Sequence, residues 1–137
     1  KIIETNKINQ TLAAEGIYTK APYLPNEAGI EFTPSIEIKN TFTRVYADEK
    51  YMASNWIIDK SAIEGKTRSE IKNLLALEYE PKYIVDVHLP ANEVSIRAGP
   101  PNRIFDAKGQ QVPVQYEIIS DDYEKIKKYF KNQRELK

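Results

Sequence analysis

The 137-residue chain has no cysteine, one histidine, one tryptophan and one methionine. Without cysteine there are no disulfides, no thiolate metal ligands and no cysteine nucleophile. The lone histidine, His88, excludes any mechanism that needs two histidines from this chain, such as a paired-histidine zinc site or a two-histidine ribonuclease. A Ser-His-Asp triad stays arithmetically open. An excess of either charge is missing too, because 20 Lys and Arg balance 20 Asp and Glu, for a formal net charge of +0. Indiscriminate nucleic-acid binding usually goes with a basic surplus, so that class loses its simplest support, while a locally basic groove stays compatible.

No apolar run approaches the roughly 18 residues of a membrane span. No charged-then-apolar leader opens the chain, which starts at Lys1, so a piece of a longer polypeptide is expected. Gly-x-Gly-x-x-Gly, a Walker loop, His-Glu-x-x-His and Gly-x-Ser-x-Gly are all lacking. Four large enzyme classes thereby lose their sequence support.

What is present is 41% hydrophobic and 29% charged residues, enough to bury one core and too little for two ordinary domains. The reading is one domain over 1–137, with a helix and an extended arm over 1–40 and a core over 41–137. Ile2, Ile3, Ile8, Leu12 and Ala13 share one face at helical spacing before Gly16. Pro22, Pro25 and Pro34 then mark an irregular arm as far as Asn40. An arm of that length without structure of its own usually serves a function.

Thr41 to Tyr46 is β-branched and aromatic, and a strand there puts Phe42, Arg44 and Tyr46 on one face. Thr67-Arg68-Ser69-Glu70 has the form of a capping box, opening a helix to about Leu77. Tyr83 to Leu89 alternates as a central strand, with Glu93 to Ala98 expected as its neighbour and Gly99-Pro100-Pro101 as the break. Val114 to Ile119 is a further strand that points Gln115 and Glu117 the same way. From Ser120 a C-terminal helix is expected, with Tyr123, Ile126, Tyr129 and Phe130 as its apolar stripe and Lys125, Lys127, Lys128, Lys131 and Arg134 on its solvated side. The expected class is α+β: an N-terminal helix, an extended arm, a small antiparallel β-sheet and a C-terminal helix.

The residues that could carry chemistry are Arg44 on an early strand, the cluster Ser54-Asn55-Trp56, and Gln115-Tyr116-Glu117 on a late strand. The resembling stretches are Thr43-Arg44-Val45-Tyr46, Ser54-Asn55-Trp56-Ile57, Ile63 to Thr67, Leu75-Ala76-Leu77, Pro81 to Pro90, Arg97-Ala98-Gly99 and Gln115-Tyr116-Glu117. Across them, Arg44 to Ile119 resembles the C-terminal catalytic modules of bacterial polymorphic toxins, the kind delivered by contact-dependent growth inhibition and related secretion systems. Within that class, the order of arginine strand, Val-x-x-Pro strand end and late glutamine strand is similar to the tuberculosis necrotizing toxin type of NAD glycohydrolase. It is more distantly similar to ADP-ribosyltransferases with a Gln-x-Glu signature. That NAD glycohydrolase type has a run of glycines before its late glutamine, where this chain has Lys108-Gly109-Gln110-Gln111-Val112-Pro113.

The resemblance implies an interbacterial hydrolase toxin, secreted as the C-terminal part of a larger effector, delivered into the target-cell cytoplasm and silenced by a cognate immunity protein. NAD would be its substrate, with no cofactor and no metal, and a host activating factor is compatible. Arg44, Gln115 and Glu117 would be catalytic, and Tyr46, Ser54 and Trp56 would bind substrate. An arginine fork can hold the two phosphates, an aromatic ring can stack on nicotinamide, and a carboxylate can stabilise an oxocarbenium-like transition state.

The rival expectation is a metal-independent ribonuclease toxin acting on tRNA through His88, Arg97 and Arg103, with Lys or Arg stabilising the pentacoordinate phosphate. A non-catalytic binding module is the third. The ordinary structural alternatives are Arg44 paired with Glu117 or Asp86 across the sheet, Gln115 and Glu117 as solvated polar alternation, Trp56 in the core, His88 as a structural residue and the C-terminal lysines as a solvated face. The enzymatic expectations require Arg44, Gln115 and Glu117 to line one cleft, compact and aromatic for NAD or open and basic for RNA.

Overall fold

The computed structural model describes residues 1–16, 21–102 and 113–137. Its centre is an eight-stranded antiparallel sheet in the order β1-β2-β6-β7-β4-β3-β5-β8. The strands are β1 (Ile2–Glu4), β2 (Ala28–Phe32), β3 (Ile38–Tyr46), β4 (Trp56–Asp59), β5 (Tyr83–Leu89), β6 (Ser95–Gly99), β7 (Gln115–Ile119) and β8 (Phe130–Glu135). Among the described residues three α-helices accompany them: α1 (Thr5–Ala14), α2 (Arg68–Leu74) and the single turn α3 (Tyr123–Ile126). The α+β class is as expected, but the sheet is larger than the small one anticipated.

One face of the sheet carries the main core. Phe42, Val85, Val87, Leu89, Ile96 and Ile118 meet Ile126, Tyr129 and Phe130 there, with Phe32 packed against them. These residues come from strands far apart in the sheet order, so the sheet curls around a shared core. The other face carries two separate layers. Toward β1, α1 and Tyr23 cover the sheet through Ile8 and Leu12, with Trp56 packed against them. Toward β5, Ile71 of α2 and Leu75 just beyond it cover Val45 and Ile84, together with Ile63.

Two glycines let the first layer sit close. A Cβ on Gly29 would lie 3.2 Å from Cδ1 of Ile8, and one on Gly99 3.0 Å from Cδ1 of Tyr23. The buried Thr5 fastens α1 to the arm, its hydroxyl donating to the Leu24 carbonyl at 2.6 Å. The capping box forms as the sequence indicates, with Glu70 N–H donating to Thr67 Oγ1 at 3.1 Å and Thr67 N–H to Glu70 Oε1 at 2.8 Å. At the other end of α2, Leu77 N–H donates to the Lys72 carbonyl at 2.9 Å and Ala76 sits at φ 53°. That is a Schellman termination with alanine in the left-handed position glycine usually takes.

Several expectations are corrected. The arm over 16–40 is partly regular, because β2 pairs with β6. Residues 95–99 pair with β2 and β7 rather than with β5, whose partners are β3 and β8. The C-terminal helix stops at Ile126, a tight turn follows, and the chain from Phe130 becomes the edge strand β8. Phe130 lies opposite Val87 and Arg134 opposite Ile84, with a register shift between them, and pairing with β5 satisfies a row of backbone groups that a longer helix would leave open on that edge.

Candidate active site

Between the two layers on the outer face lies a cavity of about 360 Å³ lined by Arg44, Val45, Trp56, Ile58, Leu75, Leu77, Asn102 and Gln115, with Ala21 and Pro22 closing one side. Side chains alternate along β3, so Arg44 belongs with Phe42 and Tyr46, opposite the face of Gln115. The register of β3 with β4 ends, however, at Phe42↔Asp59 and Thr43↔Ile58. Arg44 lies one residue beyond those pairs and borders the cavity. Its Nε donates to the Tyr51 carbonyl at 3.1 Å, and a guanidinium nitrogen lies 3.5 Å from the Trp56 carbonyl.

No carboxylate pairs with Arg44 among the described residues. Burial lowers its pKa from the usual arginine value, and the ring of Tyr46, 5.8 Å from the guanidinium carbon, works in the opposite direction. A charged donor without a carboxylate, on the wall of a largely apolar cavity, suits an anionic group of a ligand.

Gln115 enters from β7, opposite Gly99 in the register. Its Nε2 donates to the Pro22 carbonyl at 2.8 Å, which leaves Oε1 as the atom able to accept from a ligand. Asn102 likewise fixes the Ala21 carbonyl at 2.8 Å. The strap from Ala21 to Leu24 is therefore pinned as one wall, while Trp56 supplies an aromatic surface and stands against Tyr23 with ring centroids 5.8 Å apart.

Glu117 is placed elsewhere, which corrects the expectation of a single cleft. A cross-strand row runs Trp56, Glu117, Arg97, and within it Arg97 grips Glu117 with both ends of its fork, at 3.1 and 3.0 Å. Tyr23 donates its hydroxyl to Glu117 Oε1 at 3.1 Å. The two charged side chains are only 8% and 5% exposed. Burial pushes the Glu117 carboxyl above its ordinary value, against the opposing pull of Arg97 and Tyr23. The pair faces a second hollow of about 650 Å³, shared with Glu15, Asn55, Ser120 and Asp121. Arg44 therefore pairs with neither Glu117 nor Asp86, the latter being held by Arg134 at 3.2 Å.

The other expected ligand contacts also separate. Tyr46 is buried in the main core, stacked on Tyr83 at 5.7 Å, and its hydroxyl has no hydrogen-bond partner among the described residues. Ser54 accepts the Trp56 N–H at 3.2 Å and does not line the cavity. Of the ribonuclease set, His88 borders a third hollow, Arg97 is neutralised by Glu117, and Arg103 lies outside the described residues. His88 and Arg97 border different hollows.

Sequence reasoning gave no site role to Tyr23 or Asn102, nor to Leu75 and Leu77, which it named only within a resembling stretch. Tyr23 sits in a proline-rich arm with no periodicity to mark it, and Asn102 follows a Gly-Pro-Pro break. No group of acidic, histidine or cysteine side chains suited to a metal ion occurs among the described residues. None of their helices is long and apolar enough to cross a membrane. Comparison with known proteins finds no family model, no curated protein and no solved structure that matches this chain.

Proposed function

We propose that the chain is the catalytic domain of an interbacterial toxin that consumes NAD, by hydrolysis or by ADP-ribosyl transfer, in the cavity of Arg44, Trp56 and Gln115. The observation that carries this is convergence: three residues from β3, β4 and β7, singled out for chemistry by type and order, border one compact cavity with an aromatic wall. Arg44 would hold a phosphate of the substrate, Trp56 would stack on the nicotinamide, and Gln115 Oε1 would orient a ribose hydroxyl or the attacking water.

The reaction asks little acid-base work of the protein. In NAD the nicotinamide ring is already cationic, so when its bond to ribose C1′ breaks, the electron pair stays with nitrogen and nicotinamide leaves neutral without a general acid. Water, or an acceptor group in the transfer reaction, adds to C1′ and releases one proton. The developing positive charge on the sugar is stabilised by the dipole of the Gln115 carbonyl and by the bound phosphate. A chain with one histidine, remote from the cavity, is adequate for this chemistry. Glu117 takes a positioning role in this reading, holding Tyr23 against Trp56.

A toxin of this kind is delivered as part of a larger effector and requires an immunity protein in the producing cell. The test is incubation of the protein with NAD and, separately, with total bacterial tRNA, reading nicotinamide release and RNA integrity. Nicotinamide release that disappears in Arg44→Ala supports the proposal. Cleaved RNA with intact NAD rejects it in favour of the ribonuclease reading, and no turnover of either favours a binding module.

A further inference from the structure

The C-terminal segment carries five cations between Lys125 and Arg134, and they divide into two groups. Lys127 pairs with Glu124 at 3.5 Å and Arg134 with Asp86 at 3.2 Å. Lys125, Lys128 and Lys131 have no ion pair among the described residues. These three border the same hollow, of about 320 Å³, together with His88, Pro90, Tyr129, Glu37 and Glu93.

Two carboxylates share this lining: Glu93 accepts the neutral Tyr129 hydroxyl at 2.9 Å and keeps its charge, and Glu37 lies 3.7 Å from the Lys39 ammonium, so the three lysines outnumber the acids by one. The geometry follows from the break in the chain after Ile126. Lys125 and Lys128 lie three residues apart on one side of the helical turns, and the switch into β8 brings Lys131 beside them, across from Asp86 of β5.

Like charges drawn together cost free energy that the fold must offset. In a chain with a carboxylate for every cation, three unpaired ammonium groups around one hollow mark a place for an external anion. The volume suits a compact group, and ammonium groups on flexible stems act as point charges for phosphate rather than as forks for a planar carboxylate. We infer that Lys125, Lys128 and Lys131, gathered beside His88, form a second anion site that takes a phosphate-bearing ligand, separate from the Arg44 cavity. This goes beyond the proposed NAD reaction and stands whether or not that reaction occurs.

Each site has its own reporter. His88 is the one histidine and borders the hollow, so its imidazole resonance needs no assignment; Trp56 is the one tryptophan and borders the cavity. The intact protein is titrated with inorganic tripolyphosphate at constant ionic strength while the His88 resonance and Trp56 fluorescence are followed. Expected is a saturable His88 shift with little change at Trp56. The shift should be lost in the Lys125→Gln, Lys128→Gln, Lys131→Gln triple variant and kept in Arg44→Ala.

A single-stranded RNA oligomer forms the second arm. Competition with tripolyphosphate, with affinity falling with salt at a log-log slope of about 2 for three lysines, identifies a polynucleotide phosphate as an accepted source. No competition narrows the site to compact phosphates, and both results keep it. The inference fails if His88 does not respond, if the triple variant responds as the parent does while its circular dichroism is unchanged, or if polyglutamate of equal charge binds as well as tripolyphosphate does.

Discussion

The buried Arg97 and Glu117 pair should behave as a closed unit whose halves cannot be removed separately. Replacing Arg97 by Met leaves a carboxylate that is 5% exposed, with Tyr23 as its remaining donor. Breaking such a pair costs about 3–5 kcal/mol, because the charge left behind keeps its desolvation penalty without the attraction that offset it. A domain of this length has a total stability of about 7–20 kcal/mol at 0.05–0.15 kcal/mol per residue. The single substitution should therefore lower the melting temperature by about 10 °C or more.

Arg97→Met combined with Glu117→Gln removes both charges and still offers Tyr23 an acceptor, so its cost should fall to about 1–2 kcal/mol. The pH dependence gives a second handle. Burial already holds the Glu117 carboxyl above its ordinary value, and loss of Arg97 raises it further. The penalty of Arg97→Met should then be small at low pH, where the folded carboxyl holds its proton in parent and variant alike, and should grow as the pH rises past the raised value of the parent's folded carboxyl. Urea unfolding followed by far-ultraviolet circular dichroism at pH 4 and pH 7 measures all of this. A loss under about 1 kcal/mol for Arg97→Met at pH 7, or a double variant as costly as the sum of the singles, would refute the reasoning.

Three further expectations concern single groups. Tyr46→Phe deletes a buried hydroxyl without a hydrogen-bond partner among the described residues, so stability should hold or rise by up to about 1 kcal/mol in thermal unfolding; a loss above that would reveal a partner. Ala76→Gly relieves a left-handed alanine at the end of α2 and should add about 1 kcal/mol by urea unfolding, where destabilisation would contradict the Schellman assignment. Burial raises the hydroxyls of Tyr46 and Tyr129 to about 12, Tyr129 being further raised by its bond to Glu93. Ultraviolet titration should show these two ionising last among the nine tyrosines, with stability falling from about pH 10 upward because the unfolded chain ionises first.

The sequence exposed local pattern well and long-range placement poorly. Thr67 to Glu70 reads as a helix start because both halves of the capping box lie within four residues, and β3, β5 and β7 announce themselves through β-branched alternation. The partner of β6 could not be read, since pairing with β2 depends on an arm whose prolines hide its one regular stretch. The stripe Tyr123, Ile126, Tyr129, Phe130 fits a helix as well as a turn entering a strand, and only the open edge of β5 decides between them. Gln115 and Glu117 share a face, as two-residue spacing requires. Their separation into two hollows comes from Tyr23, a residue 94 positions away from Glu117 that stands against Trp56. Arg44 borders the cavity although strand alternation assigns it to the opposite face, a placement that no spacing rule records.

The central claim is that Gln115 acts on substrate while Glu117 holds the scaffold. Nicotinamide release from NAD by the parent protein, Gln115→Ala and Glu117→Gln, each at a temperature where circular dichroism shows it folded, tests this most directly. Expected is measurable release by the parent, a loss of at least about 100-fold in Gln115→Ala, as befits a group that meets the reacting atoms, and a change within about tenfold in Glu117→Gln. No release by the parent, or folded Glu117→Gln as inactive as Gln115→Ala, would contradict it.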